Sequence, residues 1–294
     1  MEDILDETHP GRVTKEGIRI HEARDFAGMR KAGQLAAHIL DEIAEHVYPG
    51  QTTGALDGLI TQMVQKAGAQ SATIGYRGYQ HASCISVNHV VCHGIPGAGI
   101  PMGKDETISR NLEKRRRDDR LLDGDILNID VTVIVDGWFG DTSRMYVAGQ
   151  PKPFAEKLIQ VTYDALMMGI EAVRPGNTFG DIGHAIQSYV DSQRMSVVRD
   201  FCGHGLGRVF HAPPNVLHYG RAGQGPRLEE GMFFTIEPMV NLGRAHTKVL
   251  ADDWTAVTRD KSLSAQFEHS IGVTDSGYEL FTLSPAGRFH PTWK

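Results

Sequence analysis

The sequence predicts an α+β protein made of two related halves that face each other across one site. Three observations carry that expectation. First, "VYPGQTTGALDGLI" at 47–60 is echoed by "VRPGNTFGDIGHAI" at 173–186, with Val, Pro-Gly, Thr, Gly and Ile recurring 126 residues apart. Each copy follows one helical pattern and opens another. Two copies make a duplication, whereas a solenoid needs about three units or more. Second, the segments between and after the copies are short apolar runs separated by turn residues, as antiparallel strands are. Third, one of those runs, "NIDVTVIVDGWFGDTSRM" at 128–145, carries acids where a buried strand should be apolar.

Taken in order, residues 1–16 are polar and contain Pro10 and Gly11. They are expected to form a flexible N-terminal arm ahead of a single domain over 17–294. From Arg24, Met29, Ala32, Leu35, Ala36, Ile39, Leu40 and Ile43 recur at helical spacing, and Pro49-Gly50 stop that helix. A second helix follows in "GALDGLITQMVQKAG". Strands are expected in "SCISVNHVVCHGI" (83–95), "DILNIDVTVIV" and "TSRMYVAG". After the second echo they are expected in "GMFFTIEPMV" (231–240), "DDWTAVT" (252–258) and "AQFEHSIGVT" (265–274). Residues 97–121 interrupt two strands with a glycine-rich piece and the charge run "EKRRRDDR". A solvated surface insertion is the expectation there; the functional alternative is a contact with RNA, the ribosome or an acidic partner.

Composition narrows the class. Hydrophobic residues make up 40% and charged residues 22% of the 294, which is ordinary for a soluble globular protein. A net charge of −6 argues against a DNA-binding surface. Cys84, Cys92 and Cys202 lack CxxC spacing, which argues against a disulfide framework or a thiolate zinc site and suits a reducing cytosol. The acidic N-terminus has no apolar core segment, and no apolar run approaches the ~18 residues of a membrane span. A cytoplasmic location is expected.

The acids in the hairpin need a partner. Asp136-Gly137 is a strong two-residue turn signal. Pairing outward from it sets Val135 opposite Trp138 and Thr132 opposite Asp141. Asp130 shares a face with Thr132, so Asp130 and Asp141 become diagonal neighbours roughly 7–8 Å apart at the backbone. Val131, Val133 and Val135 fill the other face. Two carboxylates on one buried face repel unless a cation neutralises them. Further donors lie ahead: His204 in "CGHGLG", Glu237 in "FFTIEPMV" and Glu268 in "AQFEHSIGV". Four carboxylates and one imidazole, with no thiolate, suit a pair of divalent ions such as Mn, Fe, Co or Zn. Such pairs are common in hydrolysis.

The stretches "GYRGYQHASCISVNHVVCHGIP", "GDILNIDVTVIVDGWFGDTSRM", "FCGHGLGRVFH", "GMFFTIEPM" and "DDWTAVTRDKSLSAQFEHSIGVT" resemble the type I methionine aminopeptidases of the pita-bread metallopeptidase family. The resemblance runs from about Ile18 to Ser284, broken by the insertion. It implies a pita-bread fold, in which two pseudo-symmetric halves of antiparallel sheet backed by helices surround a dinuclear metal site. It implies removal of an N-terminal methionine from peptides and nascent chains when the second residue is small. The implied metal ligands are Asp130, Asp141, His204, Glu237 and Glu268, with Glu237 also moving the proton. His93 and His211 are the implied substrate-facing histidines, and Tyr76, Tyr79, Cys84, Phe210 and Trp254 the implied methionine pocket. A monovalent-cation site is implied near Asn88, Val90 and Ser264. Thr73 and Arg77 depart from the pattern, standing where many bacterial members carry Cys and His. A monomer without membrane partners is expected. The competing readings are a proline-specific aminopeptidase of the same fold and a non-catalytic binding relative.

Overall fold

The two echoed segments do the same structural work in each half. A computed structural model describes residues 11–101 and 116–288. Within it, helices α1 (Asp25–Ile43) and α2 (Thr53–Lys66) form one half's backing, and α3 (Pro153–Glu171) and α4 (Phe179–Ser192) the other's. The first and third have 19 residues, the second and fourth 14, so the halves match in length as well as order. Thr52 and Thr178, at equivalent places in the echo, are the N-caps of α2 and α4. The Thr52 hydroxyl accepts from the Ala55 amide at 3.2 Å, and Asp181 accepts from the Thr178 amide at 2.7 Å. Gly50 and Gly176, with φ of 98° and 90°, turn the chain into those caps in a conformation that other residues rarely adopt.

Helix α1 buries Met29, Ala32, Ala36, Ile39, Leu40 and Ile43. Leu35 is only partly buried; Gly33 and Ala37 take interior places instead. A Cβ on Gly33 would lie 2.5 Å from the Phe281 carbonyl oxygen, so the helix packs closer than its leucine spacing suggests. The face of α1 rests on a hairpin of Asp125–Val135 and Trp138–Ala148. Its register pairs Val135 with Trp138 and Thr132 with Asp141, as the turn signal requires. Asp136 and Gly137 both have positive φ, 51° and 81°, which makes a type I′ turn. Strand Cys84–Val87 adds to the other side of the hairpin and sets Cys84 opposite Asp130.

The second half holds a five-stranded antiparallel sheet in the order Ala212–Val216, Gly203–Gly205, Phe233–Ile236, His269–Val273, Tyr278–Leu280. The halves join at an antiparallel bridge between Ser143 and Glu268. The Glu268 amide donates to the Ser143 carbonyl at 3.1 Å, and the Ser270 hydroxyl to the Asp141 carbonyl at 2.6 Å. The seam between the halves therefore passes through two of the candidate ligands.

Two of the chain's polar segments are described in part. Of the arm expected over 1–16, residues 1–10 lie outside the described residues. Arg12–Val13 pair antiparallel with Arg19–Ile20, and the Arg12 guanidinium meets Glu229. Of the insertion expected over 97–121, residues 102–115 lie outside the described residues, but its flanks are anchored. Ile100–Pro101 pair with Arg116–Arg117, Asp119 accepts from the Gly54 amide at the start of α2 at 3.0 Å, and Leu121 is fully buried. The Arg117 guanidinium turns inward onto Asp125. A run of charges looks solvated in sequence, but Arg117 and Asp119 find partners on the body of the fold.

A buried ion pair ties the hairpin to α1 and to the C-terminal segment. Arg144 donates to Asp41 at 2.7 Å, and Asp41 also accepts from the Ser284 hydroxyl and the Ala286 amide. The two charged side chains are 9% and 3% exposed. Arg144→Ala leaves that carboxylate buried without its cation, so urea unfolding should show a loss of about 3–5 kcal/mol. A loss below about 1 kcal/mol would mean that the two neutral donors suffice for Asp41.

Candidate active site

One cavity of about 1060 Å³ between the halves is lined by all five candidate ligands, by His93 and His211, and by Tyr76, Tyr79, Cys84, Phe210 and Trp254. Alternation along the hairpin puts Asp130 and Asp141 on the cavity face. His204 comes from a strand bracketed by Gly203 and Gly205. A Cβ on Gly205 would lie 2.1 Å from the Pro213 carbonyl oxygen, and one on Gly203 would lie 2.4 Å from that of Thr235, so only glycine lets these strands close around the imidazole. Glu237 sits just past the strand Phe233–Ile236, and Glu268 just before His269–Val273.

The donor atoms converge. Atoms of Asp141, His204 and Glu268 all lie within 4.8 Å of one another. His204 Nε2 is 3.5 Å from Asp141 Oδ2 and 3.8 Å from Glu237 Oε1. The His204 Nδ1–H donates to the Gly205 carbonyl at 3.1 Å, which leaves the Nε2 lone pair facing the carboxylates, the tautomer that a metal ligand needs. Asp130 Oδ1 is buried with no hydrogen-bond partner. Burial pushes the Asp130 and Glu268 carboxyls well up, and the neighbouring carboxylates push them further. Burial also raises Glu237, to about 7; His204 and Thr235 oppose the shift, and the charge of Asp141 adds to it. Burial works against the His204 cation, but its bond to Asp141 and the charge of Glu237 outweigh that and raise it. An orphaned carboxylate oxygen amid like charges, with a single imidazole, is the environment that a divalent cation relieves. The donor set fits such ions.

The two other histidines are held neutral. Burial lowers His93; burial and then the charge of His204 lower His211 to about 3. The His211 ring centroid is 4.3 Å from that of His204.

The aromatic residues form two groups instead of one continuous lining. Tyr76, Phe210 and His211 pack together, with ring centroids 5.0 Å apart for Tyr76–Phe210 and 4.1 Å for Phe210–His211. Tyr79, Trp254 and His93 make the other, at 4.8 Å for Tyr79–Trp254 and 6.0 Å for His93–Trp254. Trp254 stands in a turn and not in the strand expected over 252–258, which is regular only at Ala256–Thr258. Asp252 accepts from the amides of Trp254 and Thr255, a local bond that competes with a sheet ladder. Arg77 is at the cavity edge, its guanidinium over the Tyr76 ring at 5.3 Å, and the Thr73 hydroxyl donates to the His81 carbonyl at 2.7 Å. Asn88, Val90 and Ser264 do not line the cavity, though the Ser264 amide donates to the Asn88 carbonyl at 2.9 Å.

Several residues that serve the site carry no weight in the motif reading. Thr132 donates to Asp141 at 2.8 Å, Thr235 to Glu237 at 2.8 Å and Gln266 to Glu237 at 3.2 Å. Each stands two residues from a ligand, Thr132 after Asp130, Thr235 before Glu237 and Gln266 before Glu268. The period-2 rule could have found them. His218 carries no such signal; fully buried, its Nε2 accepts from the Glu237 amide at 3.0 Å.

A cavity between two duplicated halves, with an oxygen-rich donor set and one imidazole, is the arrangement of a pita-bread metallopeptidase. The sequence profile of metallopeptidase family M24 matches residues 27–275. The methionine aminopeptidase of Rickettsia prowazekii is 52% identical over 277 residues, covering 94% of this chain and 99% of that protein. That of Escherichia coli K12 is 46% identical over 268 residues, covering 90% and 94%. A crystal structure of the Rickettsia prowazekii enzyme superposes with a TM-score of 0.82 over 90% of this chain and all of that one, at 53% identity. The prolidase of Pyrococcus horikoshii shares the fold, with a TM-score of 0.66 at 18% identity. The chain therefore belongs to metallopeptidase family M24 and, within it, to the methionine aminopeptidases.

Proposed function

We propose that this chain removes the initiator methionine from new polypeptides whose second residue is small. The observation that carries the reading is that the full ligand set, two neutral histidines and an aromatic–thiol pocket open into one cavity. Two divalent ions, Co, Mn, Fe or Zn, are the proposed cofactors, held by Asp130, Asp141, His204, Glu237 and Glu268. Bound there, they supply Lewis acidity and the positive charge that lets four carboxylates ionise together.

The chain's own groups do the rest. Glu237, fixed by Thr235 and Gln266, takes a proton at its carboxylate and returns it to the leaving amine. His93 and His211, neutral at physiological pH, hydrogen-bond the scissile amide and the oxygen that gains charge. Tyr79, Cys84 and Trp254 offer an apolar slot for an unbranched thioether, with Tyr76 and Phe210 across the cavity; a sulfur–aromatic contact contributes about 0.3–1.5 kcal/mol. Ions held by the five ligands would also supply a site for the neutral N-terminal amine of the substrate, which makes the cleavage exo-acting.

Metal-free protein should release no methionine from Met-Ala-Ser, and titration with Mn, Fe, Co or Zn should restore release. Counting ions by mass spectrometry at full activity should give two per chain. Full turnover in chelator with no bound metal would overturn the reading. Met-Leu-Ser should be cleaved far more slowly than Met-Ala-Ser. Norleucine should replace methionine at the first position with little loss, since a single-group change in an apolar pocket is worth only about 1–3 kcal/mol. Faster cleavage of Pro-Ala-Ser than of Met-Ala-Ser would favour the proline-specific alternative.

Cytoplasmic residence fits three unpaired thiols, Cys84, Cys92 and Cys202. A monomer acting on nascent chains is the simplest assembly. A ribosome contact through the 114–120 run would fall to basic residues other than Arg117 and Arg120, because Arg117 is committed to Asp125 and Arg120 donates to the Gly50 carbonyl at 2.7 Å. Salt-sensitive co-sedimentation with ribosomes, abolished by Lys114→Ala/Arg115→Ala, would support it.

A further inference from the structure

The loop carrying Tyr76 and Tyr79 has little regular structure of its own. Gly75, Arg77 and Gly78 all have positive φ, between 46° and 87°. Its only helical turn is the three residues Tyr76–Gly78. What fixes its far end comes from another element. Asp57 projects from the second turn of α2 and is 8% exposed. Its Oδ1 accepts from the Ala82 amide at 3.0 Å, the Ser83 amide at 2.9 Å and the Ser83 hydroxyl at 2.8 Å. Its Oδ2 is 3.2 Å from His81 Nδ1. One carboxylate thus organises three consecutive residues some 25 positions away in sequence.

Those three residues carry the pocket wall. The Ser83 carbonyl accepts from the Tyr79 hydroxyl at 3.0 Å, and that buried ring stands 4.8 Å from Trp254. Cys84 is the next residue and pairs with Asp130. Movement of Ser83 would shift Tyr79 and the thiol together, on the side of the cavity where a first side chain enters.

We propose that Asp57 is a positioning residue for first-residue selectivity: it holds the 81–83 segment so that Tyr79 and Cys84 shape a slot for an unbranched side chain. The inference rests on the methionine aminopeptidase reading above. A carboxylate accepting several backbone and hydroxyl donors fixes geometry more firmly than a neutral acceptor, and a wall loosened by a fraction of an ångström admits branched side chains.

The test compares Asp57→Ala and Asp57→Asn with wild type in the metal-loaded enzyme, on Met-, norleucyl- and Leu-Ala-Ser. Asp57→Ala should raise KM for the Met peptide and reduce the Met/Leu ratio of kcat/KM about tenfold, with kcat for Met and metal stoichiometry near wild type. Asp57→Asn keeps one carbonyl acceptor and should recover part of that ratio. Ser83→Ala removes a single donor; it supplies a well-folded variant if Asp57→Ala does not fold, and it should shift the ratio in the same direction by less. An unchanged Met/Leu ratio in every folded variant, whatever the fall in Tm, would overturn the proposal and leave Asp57 a purely structural anchor. Wild type failing to cleave the Met peptide at all would instead overturn the functional reading beneath it.

Discussion

Replacing Glu237 with glutamine should leave a folded protein whose turnover is lower by about 10²–10⁴-fold, the usual contribution of a general base. Glutamine matches glutamate in shape. Its carbonyl oxygen can still accept from Thr235 at the Oε1 position, where the bond now measures 2.8 Å. The other bond does not survive unchanged. Gln266 Nε2 donates to Glu237 Oε2 at 3.2 Å, and an amide nitrogen there would face a second donor. Gln266 must turn its own amide or the new side chain must rotate, so a modest stability loss should accompany the kinetic one. The variant also gives up one charge toward a cation and should bind metal more weakly. The decisive measurement is kcat at saturating metal, with stoichiometry measured on the same sample. Near-normal kcat with metal in place would assign the proton to another group. His211 would then be the first candidate, being neutral and 4.3 Å from His204 between ring centroids.

Much of this site is legible before any coordinates, for physical reasons that differ from residue to residue. The hairpin register follows from one dipeptide, because Asp136-Gly137 admits the two left-handed conformations of a type I′ turn and strand alternation does the rest. The duplication is visible because helix caps and left-handed glycines are sequence-specific: Thr52 and Thr178, Gly50 and Gly176 occupy the same structural places. What stays hidden is what depends on contacts distant in sequence. Nothing local marks His218 as the acceptor for the Glu237 amide, or Asp57 as the anchor of residues 81–83. Arg117 misleads differently from these: its partner Asp125 is close in sequence but lies across a turn that the charge run does not reveal. Trp254 misleads in the other direction. Its β-rich surroundings suggest a strand, but the side chain of Asp252 satisfies two amides locally and holds the tryptophan in a turn at the cavity wall.

The stabilisation that divalent metal gives the protein should grow as pH rises from mild acid to mild alkali. The sign follows from the carboxyls. Burial raises Glu237 to about 7 from an ordinary value of 4.5, and burial with like charges raises Asp130 and Glu268 well above theirs. A group whose folded pKa lies above its unfolded one stabilises fully below the unfolded value, and that stability is lost as pH rises through the folded value. For Glu237 alone the window runs from about 4.5 to about 7, and the loss across it is on the order of 3 kcal/mol. His204, also raised, adds in the same direction above its ordinary 6.5. Buried His211 and His218, lowered to about 3, and His89 and His269, lowered to about 4, act oppositely and lose stability as pH falls below their ordinary 6.5. Without a cation, then, the apparent Tm should fall only as pH rises above about 6.5 toward 8. A cation needs the carboxyls and His204 deprotonated, so its affinity should rise from pH 5 to pH 8. Its stabilising effect should therefore be small near pH 5 and largest near pH 8, where it removes the repulsion that builds as Glu237 and its raised neighbours ionise. Calorimetry of chelated and Mn-loaded protein at both values gives four melting temperatures. The gap between loaded and chelated protein should widen with pH. A gap that stays constant would mean that these carboxyls remain ionised without metal and that something other than a cation satisfies the buried Asp130 oxygen.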